Sequence, residues 1–221
     1  MTLVQGYEQH DSLLATVTAS RLIPVIAIEQ ARYARALASA LLAGGLRCAE
    51  VTLRTDAAVD AIAALAQEPD LVVGAGTVLT AEQVDRVRDA GATFVVSPGF
   101  GPKVVQRCRE LGMPVVPGVM TPTELQRALD AGLRTVKFFP AEQAGGVAMI
   151  KALAAPFRDV RFIPTGGIHA GNVADYLKLA CVVAVGGSWM VPADAVAAQD
   201  WHRVERLVAE AVALAAPGNR P

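Results

Sequence analysis

Lys137 lies within the run Thr135-Val136-Lys137-Phe138-Phe139-Pro140, an otherwise apolar stretch of strand-forming residues. Lysine is among the residues least often buried, because removing its ammonium from water is expensive. A desolvated site favours the neutral amine, and a neutral amine is the form that attacks a ketone. A second run, Glu50-Val51-Thr52-Leu53-Arg54, alternates polar with apolar residues. In a strand, Glu50, Thr52 and Arg54 therefore share one face and Val51 and Leu53 the other. A carboxylate facing the lysine would supply the proton relay that imine chemistry requires. Two structural alternatives stand beside this: Glu50 and Arg54 pairing as ions at a strand end, or Lys137 extending to the surface as a salt-bridge partner.

Two glycine-rich turns form a further candidate site. They are Thr165-Gly166-Gly167-Ile168 and Gly186-Gly187-Ser188-Trp189, each following an apolar run. Glycine lets backbone N–H groups approach an oxyanion with no side chain between, so the pair reads as a phosphate cradle, with simple tight turns as the alternative. Arg21, just ahead of the first apolar run, is a candidate for adding positive charge there. Gly74-Ala75-Gly76-Thr77 begins like a dinucleotide fingerprint, but Leu79 occupies the position of the third glycine and no acidic partner follows. Ser97-Pro98-Gly99 and Pro117-Gly118 read as turns shaping a pocket mouth. His10, His169 and His202 have no metal-ligand spacing among themselves or with the cysteines, so no metal and no cofactor is expected.

These residues are placed by one repeating rhythm. Apolar runs at 22–28, 48–52, 71–75, 93–96, 114–119, 135–138, 161–164 and 182–185 alternate with amphipathic stretches at 30–43, 57–66, 81–90, 102–111, 123–131, 147–154, 172–179 and 201–214. Ala43-Gly44, Ala90-Gly91, Leu111-Gly112 and Ala131-Gly132 put glycine where helices end in a left-handed residue. Eight strand–helix units predict a (β/α)₈ barrel of the TIM type, an open doubly wound sheet being the alternative. Residues 12–19 are expected to form an extra helix capping the barrel bottom. In such a barrel chemistry sits at the carboxyl ends of the strands, where the polar runs above finish. No linker interrupts the pattern, so residues 1–221 are expected to form one domain.

Composition narrows the setting. The 20 basic and 21 acidic residues are interspersed and nearly cancel, which argues against nucleic-acid or membrane-surface binding. No apolar stretch is long enough to span a bilayer, and the first residues lack the pattern of a secretory signal. Cys48, Cys108 and Cys181 are scattered and odd in number, as expected of reduced packing residues in a cytoplasmic protein.

The segments Glu50-Val51-Thr52-Leu53-Arg54-Thr55, Gly74-Ala75-Gly76-Thr77-Val78, Ser97-Pro98-Gly99, Lys137-Phe138-Phe139-Pro140-Ala141-Glu142, Pro164-Thr165-Gly166-Gly167-Ile168 and Gly186-Gly187-Ser188-Trp189 occur in this order. From about Arg21 to Asp200 the chain resembles the 2-keto-3-deoxy-6-phosphogluconate (KDPG) aldolase / 4-hydroxy-2-oxoglutarate (KHG) aldolase family, class I lyases of the Entner–Doudoroff pathway. The resemblance implies that Lys137 forms the Schiff base and that Glu50 is the general acid and base. It implies Arg54 and Thr77 at the keto-acid carboxylate, with Pro98 and Phe139 lining the pocket. Thr165, Gly166, Gly167 and Ser188 would lie near the sugar hydroxyls and phosphate, with Arg21 as a basic residue nearby. It further implies a homotrimer without a metal, acting on small keto acids. The loop Phe100-Gly101-Pro102 departs from the pattern and carries no expected role.

Three rival functions share parts of this pattern. An aldolase for the galactonate-derived epimer shares the lysine and the fold, but its second strand tends to read Pro-Leu-Asn where this chain has Thr52-Leu53-Arg54. A phosphate-binding barrel isomerase would use the glycine turns without a reactive lysine. A non-catalytic phosphosugar-binding barrel would tolerate loss of Lys137.

Overall fold

Strands and helices alternate along the chain in a computed structural model that describes residues 13–216. All strands are parallel. β1 (Leu22–Ile26), β2 (Cys48–Thr52), β3 (Val72–Gly76), β4 (Phe94–Val96) and β5 (Val115–Val116) pair in sequence order, and β9 (Val185–Gly187) adds to the outer edge of β1. β6 (Gly118–Val119), β7 (Thr135–Phe138) and β8 (Arg161–Pro164) form a second sheet. Isolated parallel bridges Phe162↔Val182 and Thr165↔Gly186 connect β8 to β9 and the chain leading into it. The last strand thus lies beside the first, and the order never reverses as it would in a doubly wound sheet. The fold is α/β on a parallel sheet.

The expected strand at 114–119 divides because Pro117 has no N–H to continue a ladder. β5 turns to β4 and β6 to β7, while the Pro117 carbonyl accepts from the Lys137 N–H at 2.9 Å.

A helix over residues 13–18 (α1) precedes β1. The others are α2 (Ala34–Ala43), α3 (Ala58–Leu65), α4 (Ala81–Asp89), α5 (Pro102–Glu110), α6 (Pro122–Asp130), α7 (Gly146–Ala154), α8 (Val173–Leu177), α9 (Ala193–Ala197) and α10 (Trp201–Ala215). A 3₁₀ turn, Ala31–Tyr33, occupies the start of the stretch expected as the first long helix. The short α9 was not legible in the sequence. Thr80 with Gln83, and Thr121 with Glu124, build reciprocal capping boxes at the starts of α4 and α6. Ser12 and His10 lie outside the described residues.

At the end of α2 the left-handed residue is Gly45 (φ +96°), not Gly44. Gly44 serves a different need: a Cβ there would come within 2.5 Å of Val208, so its absence lets α10 pack on α2. Gly91, Gly112 and Gly132 take the left-handed conformation as expected.

The core has two parts. Helix faces and the outward residues of the strands make the larger one. The smaller joins Leu14 and Val17 of α1 to Ile23, Cys48, Phe94, Val96, Val116, Ile163 and Ala184, the inward residues of their strands. Continuing that alternation toward the carboxyl ends of the strands leads from Cys48 to Glu50 and Thr52, from Val96 to Pro98, from Ile163 to Thr165, and from Ala184 to Gly186 and Ser188. Apolar inward residues fill the lower part, and the polar Glu50, Thr52, Thr165 and Ser188 follow above them.

Candidate active site

Glu50 and Lys137 meet in this inward row. Lys137 Nζ lies 3.0 Å from Glu50 Oε1, and both residues are almost completely buried, at 6% and 2% exposure. Such a pair is expensive to assemble, since removing each ion from water costs on the order of several kcal/mol, only partly offset by mutual attraction. Neighbouring glycines make the room. Gly76, on the strand beside β2, sits against the Glu50 carboxylate; Gly118 is the register partner of Lys137 on β6. A Cβ at Gly118 would approach the Pro98 carbonyl to 2.1 Å, so glycine lets the Ser97-Pro98-Gly99 turn close over β6. Ser97 Oγ donates to the Gly99 carbonyl at 2.8 Å and holds that turn. The Phe139 ring covers the amine, its centroid 5.4 Å from Nζ.

Arg54 follows β2 on the exposed side of the pair, and its Nε donates to Thr52 Oγ1 at 2.9 Å. Thr52 in turn donates to the Ile26 carbonyl at 2.8 Å. Thr52 therefore aims the guanidinium, a role its parity with Glu50 and Arg54 made legible but which sequence reasoning did not assign. Thr77 follows β3 and holds φ +58°, a left-handed conformation uncommon for a β-branched residue. One level below Glu50 in the same strand, Cys48 donates its thiol to the Leu22 carbonyl, and burial pushes its pKa up to about 12. It is an inert packing thiol, as Cys108 is for the same reason.

Across the sheet, the Thr165 hydroxyl is buried and is without a hydrogen-bond partner among the described residues. It packs on Gly186, where a Cβ would come within 2.3 Å of Oγ1. Gly166 (φ +102°) and Gly167 (φ +76°) turn the chain at this point. Ser188 is exposed at the end of β9, and the Trp189 ring occupies the space beside Gly187. Unpartnered hydroxyl, glycine turn and Ser188 thus stand at the carboxyl ends of adjacent strands.

Arg21 does not join them. It precedes β1 at the amino end of the strand, and its guanidinium donates to the Leu177 carbonyl at the end of α8 at 2.5 Å. Its place ahead of β1 already set it at the amino end of the strand, opposite the end where the glycine turns follow β8 and β9. No group of three or more His, Cys, Asp or Glu among the described residues could hold a metal ion.

A buried amine paired with a carboxylate, at the carboxyl ends of parallel strands in an α/β fold, defines a lysine-centred carbonyl enzyme of the class I aldolase type. The chain belongs to the KDPG and KHG aldolase family, whose sequence model matches residues 13–207. It is 54% identical over 188 residues to the 2-dehydro-3-deoxy-phosphogluconate aldolase of Treponema pallidum, covering 85% of this chain and 90% of that one. It is 49% identical over 197 residues to the KHG/KDPG aldolase of Escherichia coli K12, covering 89% and 92%. Among solved structures, the KDPG aldolase of Legionella pneumophila superposes with a TM-score of 0.86 at 43% identity, over 88% of this chain and 95% of that one. That crystal structure holds pyruvate captured at low pH as a covalent carbinolamine intermediate.

Proposed function

We propose that this protein is a class I aldolase that cleaves 2-keto-3-deoxy-6-phosphogluconate to pyruvate and D-glyceraldehyde 3-phosphate, and 4-hydroxy-2-oxoglutarate to pyruvate and glyoxylate. The observation that carries the proposal is the 3.0 Å contact between Lys137 Nζ and Glu50 Oε1, two side chains that are almost completely buried. A barrel isomerase or a binding protein needs no reactive lysine, and the relatives are aldolases.

Lys137 gives its proton to Glu50 and adds as a neutral amine to the C2 ketone. Glu50 returns the proton as the carbinolamine loses water, leaving an iminium ion. The iminium draws electrons from the C3–C4 bond, which breaks when the C4 hydroxyl loses its proton to Glu50, directly or through one water. The aldehyde leaves, the enamine takes a proton at C3, and water hydrolyses the imine to release pyruvate and restore Lys137. Arg54, oriented by Thr52, holds the keto-acid carboxylate with Thr77, which sets C2 before the amine. Pro98 and Phe139 wall the pocket. Thr165 offers its free hydroxyl to the sugar, and Gly166, Gly167 and Ser188 receive the phosphate. Arg21 has no part in this assignment.

The same proposal includes a closed eight-stranded barrel plugged by α1 as a single domain over residues 1–221, a homotrimer and a cytoplasmic setting. The bridges Phe162↔Val182 and Thr165↔Gly186 support closure, and Leu14 and Val17 in the inner core support the plug. No helix among the described residues is long and apolar enough to cross a membrane, and the described cysteines are free, in keeping with that setting. Borohydride reduction in the presence of pyruvate is expected to leave a stable adduct on Lys137, located by peptide mass mapping. An unmodified Lys137 under conditions that trap a control aldolase would overturn the mechanism.

A further inference from the structure

The Gly166–Gly167 turn is gripped from two sides, by the Asn172 side chain and by Glu142, both outside the site described above. Asn172, immediately before α8, donates from Nδ2 to the Gly167 carbonyl at 3.1 Å and accepts the His169 N–H on Oδ1 at 2.8 Å. Its amide thus spans the turn. On the other side the Glu142 N–H donates to the Gly166 carbonyl at 3.1 Å. The Glu142 carboxylate accepts from the Tyr176 hydroxyl, and Tyr176 is four residues beyond Asn172, one helical turn further along. A Cβ at Gly167 would approach Glu142 Cγ to 2.6 Å, so the turn also sits tightly against this side chain.

The orientation of the turn follows from these bonds. In a trans peptide the carbonyl and the next N–H point in opposite directions. Fixing the Gly166 carbonyl toward Glu142 turns the Gly167 N–H away from it, and fixing the Gly167 carbonyl toward Asn172 turns the Ile168 N–H away from Asn172. No backbone hydrogen bond among the described residues takes up either N–H. Two donors are left free, held in place by partners that do not themselves meet the substrate.

We propose that Asn172 is a positioning residue that, by holding the Gly167 carbonyl, fixes the Ile168 N–H beside the Gly167 N–H set from Glu142, so that the two meet the substrate's phosphate, and thereby sets the preference for phosphorylated over unphosphorylated hydroxy-keto acids. This rests on the aldolase assignment above. The two substrates share the keto-acid end, but the phosphorus of the six-carbon substrate lies three bonds beyond C5, where the five-carbon substrate has already ended. Disorder in the turn should therefore be felt by one and not by the other.

Steady-state pyruvate release from both substrates tests this in the wild type, Asn172→Ala and Asn172→Ser, with thermal melting to establish that each variant is folded. Serine replaces the amide with a short hydroxyl that cannot span the turn, and it decides the question if the alanine variant does not fold. Both variants are expected to raise KM for the phosphorylated substrate by about tenfold, with its kcat and both constants for 4-hydroxy-2-oxoglutarate changed by less than about twofold. Equal losses on the two substrates, or no change on either, would overturn the proposal. A wild type that releases pyruvate from neither substrate would instead overturn the aldolase assignment.

Discussion

Gly76 and Glu50 share a volume that only one of them can fill. A Cβ at Gly76 would lie 2.3 Å from Glu50 Oε1 and 2.7 Å from its Cγ. That oxygen is the one 3.0 Å from Lys137 Nζ, so the missing side chain on β3 is what allows the proton relay its position.

Gly76→Ala should therefore displace the carboxylate without removing it. Turnover is expected to fall by about a hundredfold, because a misplaced acid/base group loses most of its contribution. The overpacking should destabilise the fold by about 1–3 kcal/mol. Pyruvate release and urea unfolding measure the two effects separately. Full turnover in a folded variant would show that the carboxylate does not depend on this space.

Much of this site is legible in the amino-acid sequence. The alternation in 50–54 fixed which side chains share a face, and the lysine in an apolar run marked a residue with an unusual purpose. What was lost was whatever depends on contacts distant in sequence. Arg21 looked like a phosphate ligand until Leu177, 156 residues away, proved to be its partner. Asn172 carries no signal beyond a polar residue opening the amphipathic stretch 172–179, since its role exists only when Gly167 folds back beside it. The break at Pro117 was legible as the Pro117-Gly118 turn, although the apolar run 114–119 around it also read as one strand.

Thr77 holds a conformation its type disfavours, with φ +58° at the mouth of β3. A β-branched residue there stores strain on the order of 1–2 kcal/mol. Asparagine tolerates this conformation better, so Thr77→Asn is expected to raise the unfolding free energy by up to about 1 kcal/mol. The same substitution should raise KM for both substrates, since it alters the side chain proposed to meet the keto-acid carboxylate that they share. Chemical denaturation and paired kinetics check both halves. A less stable variant with unchanged KM would show that the strain is not being held for function.

Glu124 offers a test of stability against pH. Partial burial pushes its carboxyl up, but the N–H groups of Met120 and Thr121 and the Thr121 hydroxyl outweigh this and hold it below its ordinary value of 4.5. A depressed folded value means that the ionised carboxylate stabilises the protein fully above pH 4.5. As pH falls through 4.5 the unfolded chain takes up the proton first, and the contribution has gone once pH passes below the folded value. Glu124→Gln keeps an acceptor for the capping box but removes the charge. The wild type is expected to exceed the variant by about 0.5–1 kcal/mol at pH 7, allowing for solvent screening at this partly exposed site, with the gap closing in the acid range. Urea unfolding of both proteins from pH 7 to pH 3 measures it. A gap that stays constant across that range would assign the stabilisation to the shape of the side chain and not to its charge.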